Sequence, residues 1–401
     1  MKCIIFDWKR YINNREDLLN YTLLGRRCWF YSSDRKKRWR VLEEMLALVH
    51  GNDVVKKWGM ENLVILHVVS SGLHENRQDH SDEAMMANFA SSYIEENAGS
   101  ICQKIATIGN CVWTAFHLSI STLSPWMVRV WIDAPIPLGT KSLLVNSHSL
   151  SPKCESSLVV LYKKIHWILY KGFYPQPYLD DDEYESDLDR TSDITCSLVD
   201  EIPDVDVNVI DNDGTPLLIC MLQCGALSTV IRLLQKVPDI DVNIRCKYHG
   251  FTFLMYLTFE LEGLGLANPR TVLDVMRTLT ERAKLDVNAT NDLGQTALHV
   301  ATKNSDIAGE SIVEMIDILS STTQLDVNVR DMDGETVLLW SLKKRKIAPA
   351  LKLLDIPGID IHAMNKDGLN APLLVVKSMA YDNDSDEIRG VARKMLSKLG
   401  I

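Results

Sequence analysis

His299 lies in Thr296-Ala297-Leu298-His299, at the head of an apolar stretch. An imidazole there could act as a general base or a metal ligand, and either role needs a second group at matching spacing. No nucleophile or carboxylate recurs with His299, so catalysis is not expected of it. The nine cysteines (Cys3, Cys28, Cys102, Cys111, Cys154, Cys196, Cys220, Cys224 and Cys246) are odd in number and contain no C-x-x-C. They lack four-ligand zinc spacing, so no structural metal is expected, and free thiols in a reducing compartment are. Residues 1–150 hold no P-loop, Rossmann glycines, H-E-x-x-H or nucleophile elbow, so neither an enzyme nor a bound cofactor is expected. The chemistry that remains is charge. Two basic runs, Arg35-Lys36-Lys37-Arg38-Trp39-Arg40 and Lys343-Lys344-Arg345-Lys346, stand in the same chain as seven acids between Asp180 and Asp189.

The elements that position these charges repeat. Asp206-Val207-Asn208 recurs as Asp241-Val242-Asn243, Asp286-Val287-Asn288 and Asp326-Val327-Asn328, with a looser copy at Asp360-Ile361-His362. The steps between the aspartates are 35, 45, 40 and 34 residues, the size of one supersecondary unit stacked on its copies. A turn glycine follows each: Gly214, Gly250, Gly294, Gly334 and Gly368. Next comes a small polar residue able to cap a helix: Thr215, Thr252, Thr296, Thr336 and Asn370. Pro216 and Pro372 fall in or near the first helical turn, where a missing N–H costs little. A second apolar stretch closes each unit, and Leu234, Leu279 and Leu319 keep a constant offset of seven residues before the next aspartate. Each unit therefore reads turn, helix, turn, helix, extended link.

That pattern resembles the ankyrin repeat, whose T-P-L-H-x-A signature is nearest at Thr296-Ala297-Leu298-His299-Val300-Ala301. Thr252-Phe253-Leu254-Met255 and Thr336-Val337-Leu338-Leu339 drift from it. The resemblance covers about residues 190 to 401. It implies an all-α, ankyrin-type helical solenoid with short β-hairpin fingers, and protein binding as the usual task. It also implies that His299 is structural, tying neighbouring turns together.

Upstream, residues 157–171 place Leu158, Leu161, Ile165, Ile168 and Leu169 on one helical face. Residues 191–201 read as the second helix of the same earlier unit, with Lys163 and Lys164 on a solvated face. Eight of nine tryptophans precede residue 170, which marks a differently built, divergent helical N-terminal region. Worn repeats are conceivable at Thr114-Ala115-Phe116-His117, with Trp126 to Trp131 in the second helix, and at Leu63 to His67 after a helix-like Val41 to Leu48. The boundaries read as 1–156 for the divergent region, 157–205 for a capping unit with an acidic inter-helix insertion, and 206–401 for five repeats.

Composition narrows the class. A net charge of −10 argues against general nucleic-acid binding. Lys2 and Asp7 bracket too short an apolar run for a secretory signal. Ile105 to Val128 lacks Asp, Glu, Lys and Arg, yet Gly109, Asn110 and Pro125 make a buried helix pair the better reading than a membrane span.

Insertions between paired helices, at Tyr174 to Asp189, Glu260 to Pro269 and Asn304 to Glu310, align with Lys343 to Lys346 along one expected edge. The sequence thus points to a non-enzymatic intracellular interaction protein, cytoplasmic or nuclear, whose partners are other proteins. Candidate contact residues at the finger tips are Asp211, Asn212, Arg245, Lys247, Tyr248, Asn291, Arg330, Met332, Asn365 and Lys366, with Lys343, Lys344, Arg345 and Lys346 on the edge. The alternatives are a nuclear regulator using the basic runs for import, or an adaptor whose N-terminal third binds a second protein.

Overall fold

The structure is a computed structural model that describes residues 91, 94–95, 105–108, 111–120, 125–146, 156–163, 181–263, 269–282, 284–303, 309–322, 324–381 and 386–398. The chain divides into two compact units, Met1–Asn212 and Asp213–Ile401. The expectations for Arg35 to Arg40, Val41 to Leu48 and Leu63 to His67 fall outside the described residues.

The second unit is a stack of helix pairs. In chain order these are α6 (Leu217–Gln223) with α7 (Leu227–Lys236), α8 (Phe253–Gly263) with α9 (Pro269–Thr280), and α10 (Ala297–Lys303) with α11 (Gly309–Ser320). Then come α12 (Val337–Lys343) with α13 (Ile347–Leu353), and α14 (Ala371–Tyr381) with α15 (Asp386–Lys398). Each first helix packs on the next first helix, and each second helix on the next second helix. A helix between two neighbours must be apolar nearly all round: α6 buries all of Leu217 to Leu222. The second helices are amphipathic, and α7 buries Leu227, Val230, Leu233 and Leu234 at helical spacing. In α14, Leu373 and Val376 are exposed where α12 buries Leu339 and Leu342.

The D-V-N tripeptide has a job for each residue. Its central residue is buried: Val207, Val242, Val287, Val327 and Ile361. The aspartate accepts the N–H two residues on, as Asp286 Oδ1 does from Asn288 at 3.0 Å and Asp326 Oδ1 from Asn328 at 2.9 Å. The asparagine then clamps the next copy. Asn243 Oδ1 accepts the Asp286 N–H at 2.9 Å while its Nδ2 donates to the Lys284 carbonyl at 2.6 Å. Asn288 does the same to Asp326 and Gln324, and Asn328 to Asp360 and Gly358. A ladder of side-chain amides thus sets the rise from repeat to repeat.

Caps differ from copy to copy. Thr336 accepts the Leu339 N–H at 3.3 Å and Asn370 accepts that of Leu373 at 3.1 Å. Helix α6 starts after Pro216, which offers no capping side chain. Insertion also takes an unexpected form. Glu260 to Gly263 extend α8 by another turn, so only 264–268 remain to link it to α9. Residues 304–308 are outside the described set.

In the first unit, β1 (Ile105–Ile108) pairs antiparallel with β2 (Cys111–Thr114). This corrects the expected helix pair: the charge-free run opens as a β-hairpin before α1 (Ala115–Ile120) and α2 (Pro125–Asp133). Isoleucine, valine and threonine favour strands. No helix among the described residues is long and apolar enough to cross a membrane. Phe116 of α1 and Trp131 of α2 meet edge to face, ring centroids 5.4 Å apart.

Helix α3 (Leu138–Val145) follows, then helical residues 157–163 (α4) and α5 (Asp181–Glu201). The acidic run expected to form a loop is instead the first half of α5. Acids in a first turn complement the partial positive charge of a helix N-terminus, so Asp181, Asp182 and Glu183 suit the start of a helix. Tyr162 and Thr195 share a buried hydrogen bond of 3.0 Å that ties α4 to α5. Asn146 Oδ1 accepts the Asp206 N–H at 2.8 Å and its Nδ2 donates to the Asp204 carbonyl at 2.6 Å. That is the D-V-N clamp again, made by a copy reading Leu144-Val145-Asn146.

Candidate protein-interaction surface

Three finger tips of the second unit are tight turns built around one buried polar residue, and the tip at 246–251 has the buried Cys246 in that place. Asn291 Oδ1 accepts the N–H groups of Leu293 and Gln295, both at 2.9 Å. Asp331 Oδ1 does so for Asp333 and Glu335, and Asn365 Oδ1 for Asp367 and Leu369. Two backbone bonds close each of these turns: the Asn291, Asp331 and Asn365 N–H groups donate to Gln295, Glu335 and Leu369 O, and the Gly294, Gly334 and Gly368 N–H groups donate back to Asn291, Asp331 and Asn365 O. The β1–β2 ladder is the only sheet among the described residues, and the tips are closed by turns. Neighbouring tips are stitched by backbone bonds: Lys247 N–H to Gly214 O, Asp292 to His249, Met332 to Leu293 and Lys366 to Asp333.

The candidate contact residues divide accordingly. Asn291 and Asn365 are buried, and so is Asp211 in the first unit, which pairs with Lys163 at 3.2 Å. Asn291 and Asn365 shape their turns from inside, and all three buried residues are corrected as contact residues; Lys163 is likewise paired rather than simply solvated. Arg245 and Arg330 are exposed but brace adjacent tips. Arg245 pairs with Asp292 at 3.1 Å, and Arg330 donates to the Met364 carbonyl at 3.0 Å. Lys247, Tyr248, Met332 and Lys366 stand exposed on the tips, and Asn212 is exposed at the end of the first unit.

Sequence reasoning missed Leu293 and Met364, 50% and 52% exposed beside Tyr248 and Met332 at 59% each. A signal was present for Leu293. It precedes the tip glycine where Asp213, Asp333 and Asp367 stand in other copies. An apolar side chain in that turn position gains nothing from the turn itself.

Two residues lock the third tip to the fourth. His299 is buried, with Nδ1 facing Thr296 Oγ1 at 2.9 Å and accepting the Thr296 N–H at 3.3 Å. Its Nε2–H therefore donates to the Glu335 carbonyl at 3.1 Å. His299 ties neighbouring turns together, as the resemblance implies. The Glu335 carboxylate is 2% exposed; Oε1 accepts Lys343 Nζ at 2.7 Å and Asn365 Nδ2 at 3.0 Å. The hydrogen bond to Glu335, with its charge and those of Asp367 and Asp333, raises the Lys343 pKa above the usual 10.5.

The edge turn between α12 and α13 carries Lys343 to Lys346, with Lys343 to Arg345 exposed. Lys344 Nζ lies 5.1 Å from the centroid of the Trp340 ring, a cation–π distance. Among the described residues, no group of three or more His, Cys, Asp or Glu is placed to hold a metal ion. Cys196, Cys220, Cys224 and Cys246 are buried free thiols.

No protein-family model matches the chain, and no curated protein matches it. Among solved structures it is similar to a crystal structure described as that of an ankyrin repeat protein, at 14% identity and a TM-score of 0.40. The overlap spans 52% of this chain and 92% of the other. The repeat architecture of the second unit stands on its own internal contacts.

Proposed function

We propose that this chain is a non-enzymatic interaction protein that binds other proteins through the finger tips of its second unit. The observation that carries the reading is the row of exposed apolar tip residues, Tyr248, Leu293, Met332 and Met364. Leu293, Met332 and Met364 stand on or beside turns fixed from below by Asx bonds, Tyr248 stands on a turn closed by the Cys246 N–H to Phe251 O bond, and each turn is stitched to a neighbour by a backbone bond. A large exposed apolar side chain on or beside each of four successive tips suits a partner surface. A turn already rigid loses little entropy when bound, which favours association. Nothing in the tips resembles an acid–base pair, so binding rather than catalysis is the proposed activity.

The test is cross-linking and affinity purification from the native cell with the wild-type chain and with Tyr248, Leu293, Met332 and Met364 all changed to serine. Loss of a specific partner with an unchanged unfolding transition supports the reading. Retention of every partner by the variant refutes it.

A further inference from the structure

The turn between α12 and α13 holds a conformation that its central residue resists. Arg345 has φ +57°, in the left-handed region where an L side chain is strained. The equivalent turn between α6 and α7 uses Gly225, at φ +71°. The two turns close alike. Gly225 N–H bonds to Leu222 O and Ala226 N–H to Met221 O, at 2.8 and 2.9 Å. Arg345 N–H bonds to Leu342 O and Lys346 N–H to Ser341 O, at 3.1 and 2.8 Å. The geometry thus takes glycine without loss, and Cys224-Gly225-Ala226 makes the turn with no cation at all.

The neighbouring cations are also held. Lys343 is bonded to the buried Glu335 carboxylate at 2.7 Å, and Lys344 lies over Trp340 at 5.1 Å. A solvated lysine run ordinarily samples many rotamers; here Lys343 is held by a carboxylate and Lys344 over a ring, while Arg345 has its backbone fixed at positive φ. Backbone strain and like-charge crowding together contribute nothing to stacking the repeats. Strain of this kind clusters where a structure recognises something.

We infer that the Lys343–Lys346 turn is a preorganised docking site for an acidic peptide segment of a partner protein, with Arg345 as its specificity residue in a glycine's place. The inference rests on the proposed protein-binding function and adds the chemistry of one partner segment. Sign complementarity selects carboxylates. Fixed cations lose less freedom on binding than mobile ones. The half-buried face of Trp340 offers an apolar contact beside them. A nucleic-acid strand is the disfavoured occupant, because a chain of net charge −10 repels polyanions at long range.

The experiment uses the full chain and a dye-labelled deca-glutamate peptide, read by fluorescence anisotropy at low salt. A ten-nucleotide oligothymidylate serves as the competing probe, and R345G, R345K and a Tyr248→Ser/Met332→Ser tip variant as the comparisons. The wild type binds the peptide more tightly than the oligonucleotide. R345G weakens that affinity about fivefold, the loss of one charge-assisted contact, while its Tm rises by about 2 °C as strain is relieved. R345K keeps most of the affinity, and the tip variant keeps all of it. The inference is overturned if the wild type does not bind the peptide, if R345G binds it as the wild type does, or if the oligonucleotide binds more tightly. Loss of native partners by tip variants with R345G unaffected would leave the proposed function standing and this site refuted.

Discussion

Asn288 holds Asp326 by two bonds, its Oδ1 accepting the Asp326 N–H at 2.8 Å and its Nδ2 donating to the Gln324 carbonyl two residues earlier at 2.6 Å. The same pair of bonds recurs from Asn146 to Asp206 within the first unit.

Asn288→Ala removes both bonds at a partly exposed site, where water can reach the freed groups. The expected loss is about 1–2 kcal/mol by urea unfolding. Asn288→Asp keeps the size but trades the Nδ2 donor for an anion beside the Gln324 carbonyl. It should cost at least as much as alanine. Hydrogen exchange should quicken first at Asp326, whose N–H loses its acceptor in the alanine variant; unchanged exchange there would refute the clamp.

His299→Ala leaves a cavity and strands the Thr296 N–H and the Glu335 carbonyl in a buried place. The expected cost is about 2–4 kcal/mol, from lost packing and lost bonds together. In the wild type, nitrogen NMR should find the Nε2–H tautomer, because Nδ1 accepts the Thr296 N–H. Observation of the Nδ1–H form would contradict the geometry.

Lys343 supplies a pH test. Its folded pKa is raised above 10.5, first by the hydrogen bond to Glu335. A raised folded value means that the lysine's contribution to stability is complete below 10.5 and is lost as pH climbs through the folded pKa. The Tm gap between wild type and Lys343→Met should therefore be flat from about pH 7 to 9.5 and shrink above 10.5. Other titrating groups cancel in the difference, so a flat gap up to pH 11.5 would contradict the pairing.

Gly294 and Gly358 separate two costs of a methyl group. Both have positive φ, +72° and +78°. A Cβ at Gly294 would come within 3.2 Å of the Met332 backbone nitrogen, whereas at Gly358 it would meet nothing within 4 Å. Gly358→Ala should cost about 1 kcal/mol, the left-handed strain alone. Gly294→Ala should cost about 1 kcal/mol more, because a backbone neighbour must shift. Equal losses in thermal or urea unfolding would show that adjacent tips are looser than the stitched backbone bonds imply.

The tips were half legible. Glycine directly after Asp announced a turn at Gly214, Gly334 and Gly368, and Asn291-Asp292 just ahead of Leu293-Gly294 announced the same there, because few other residues accept positive φ. Which tip side chains point outward was not legible. Asn291 and Asn365 look like surface residues by type, yet their short polar side chains fold inward to hold the turn. Leu293 looks like core and lies in water. Upstream, Leu144-Val145-Asn146 escaped notice because leucine replaces the aspartate, although the clamp needs only the asparagine.

Sequence alone determined the period, the helix-pair plan of the second unit and its tip glycines, because local chemistry forces them: helical spacing of apolar residues, positive φ and proline near helix starts. Only tertiary structure decided that the acidic run belongs to a helix, that the charge-free stretch opens as a hairpin, and that Glu335 is buried between a lysine and an asparagine. Those outcomes depend on what packs against each segment, and a neighbour distant in sequence leaves no mark on local spacing.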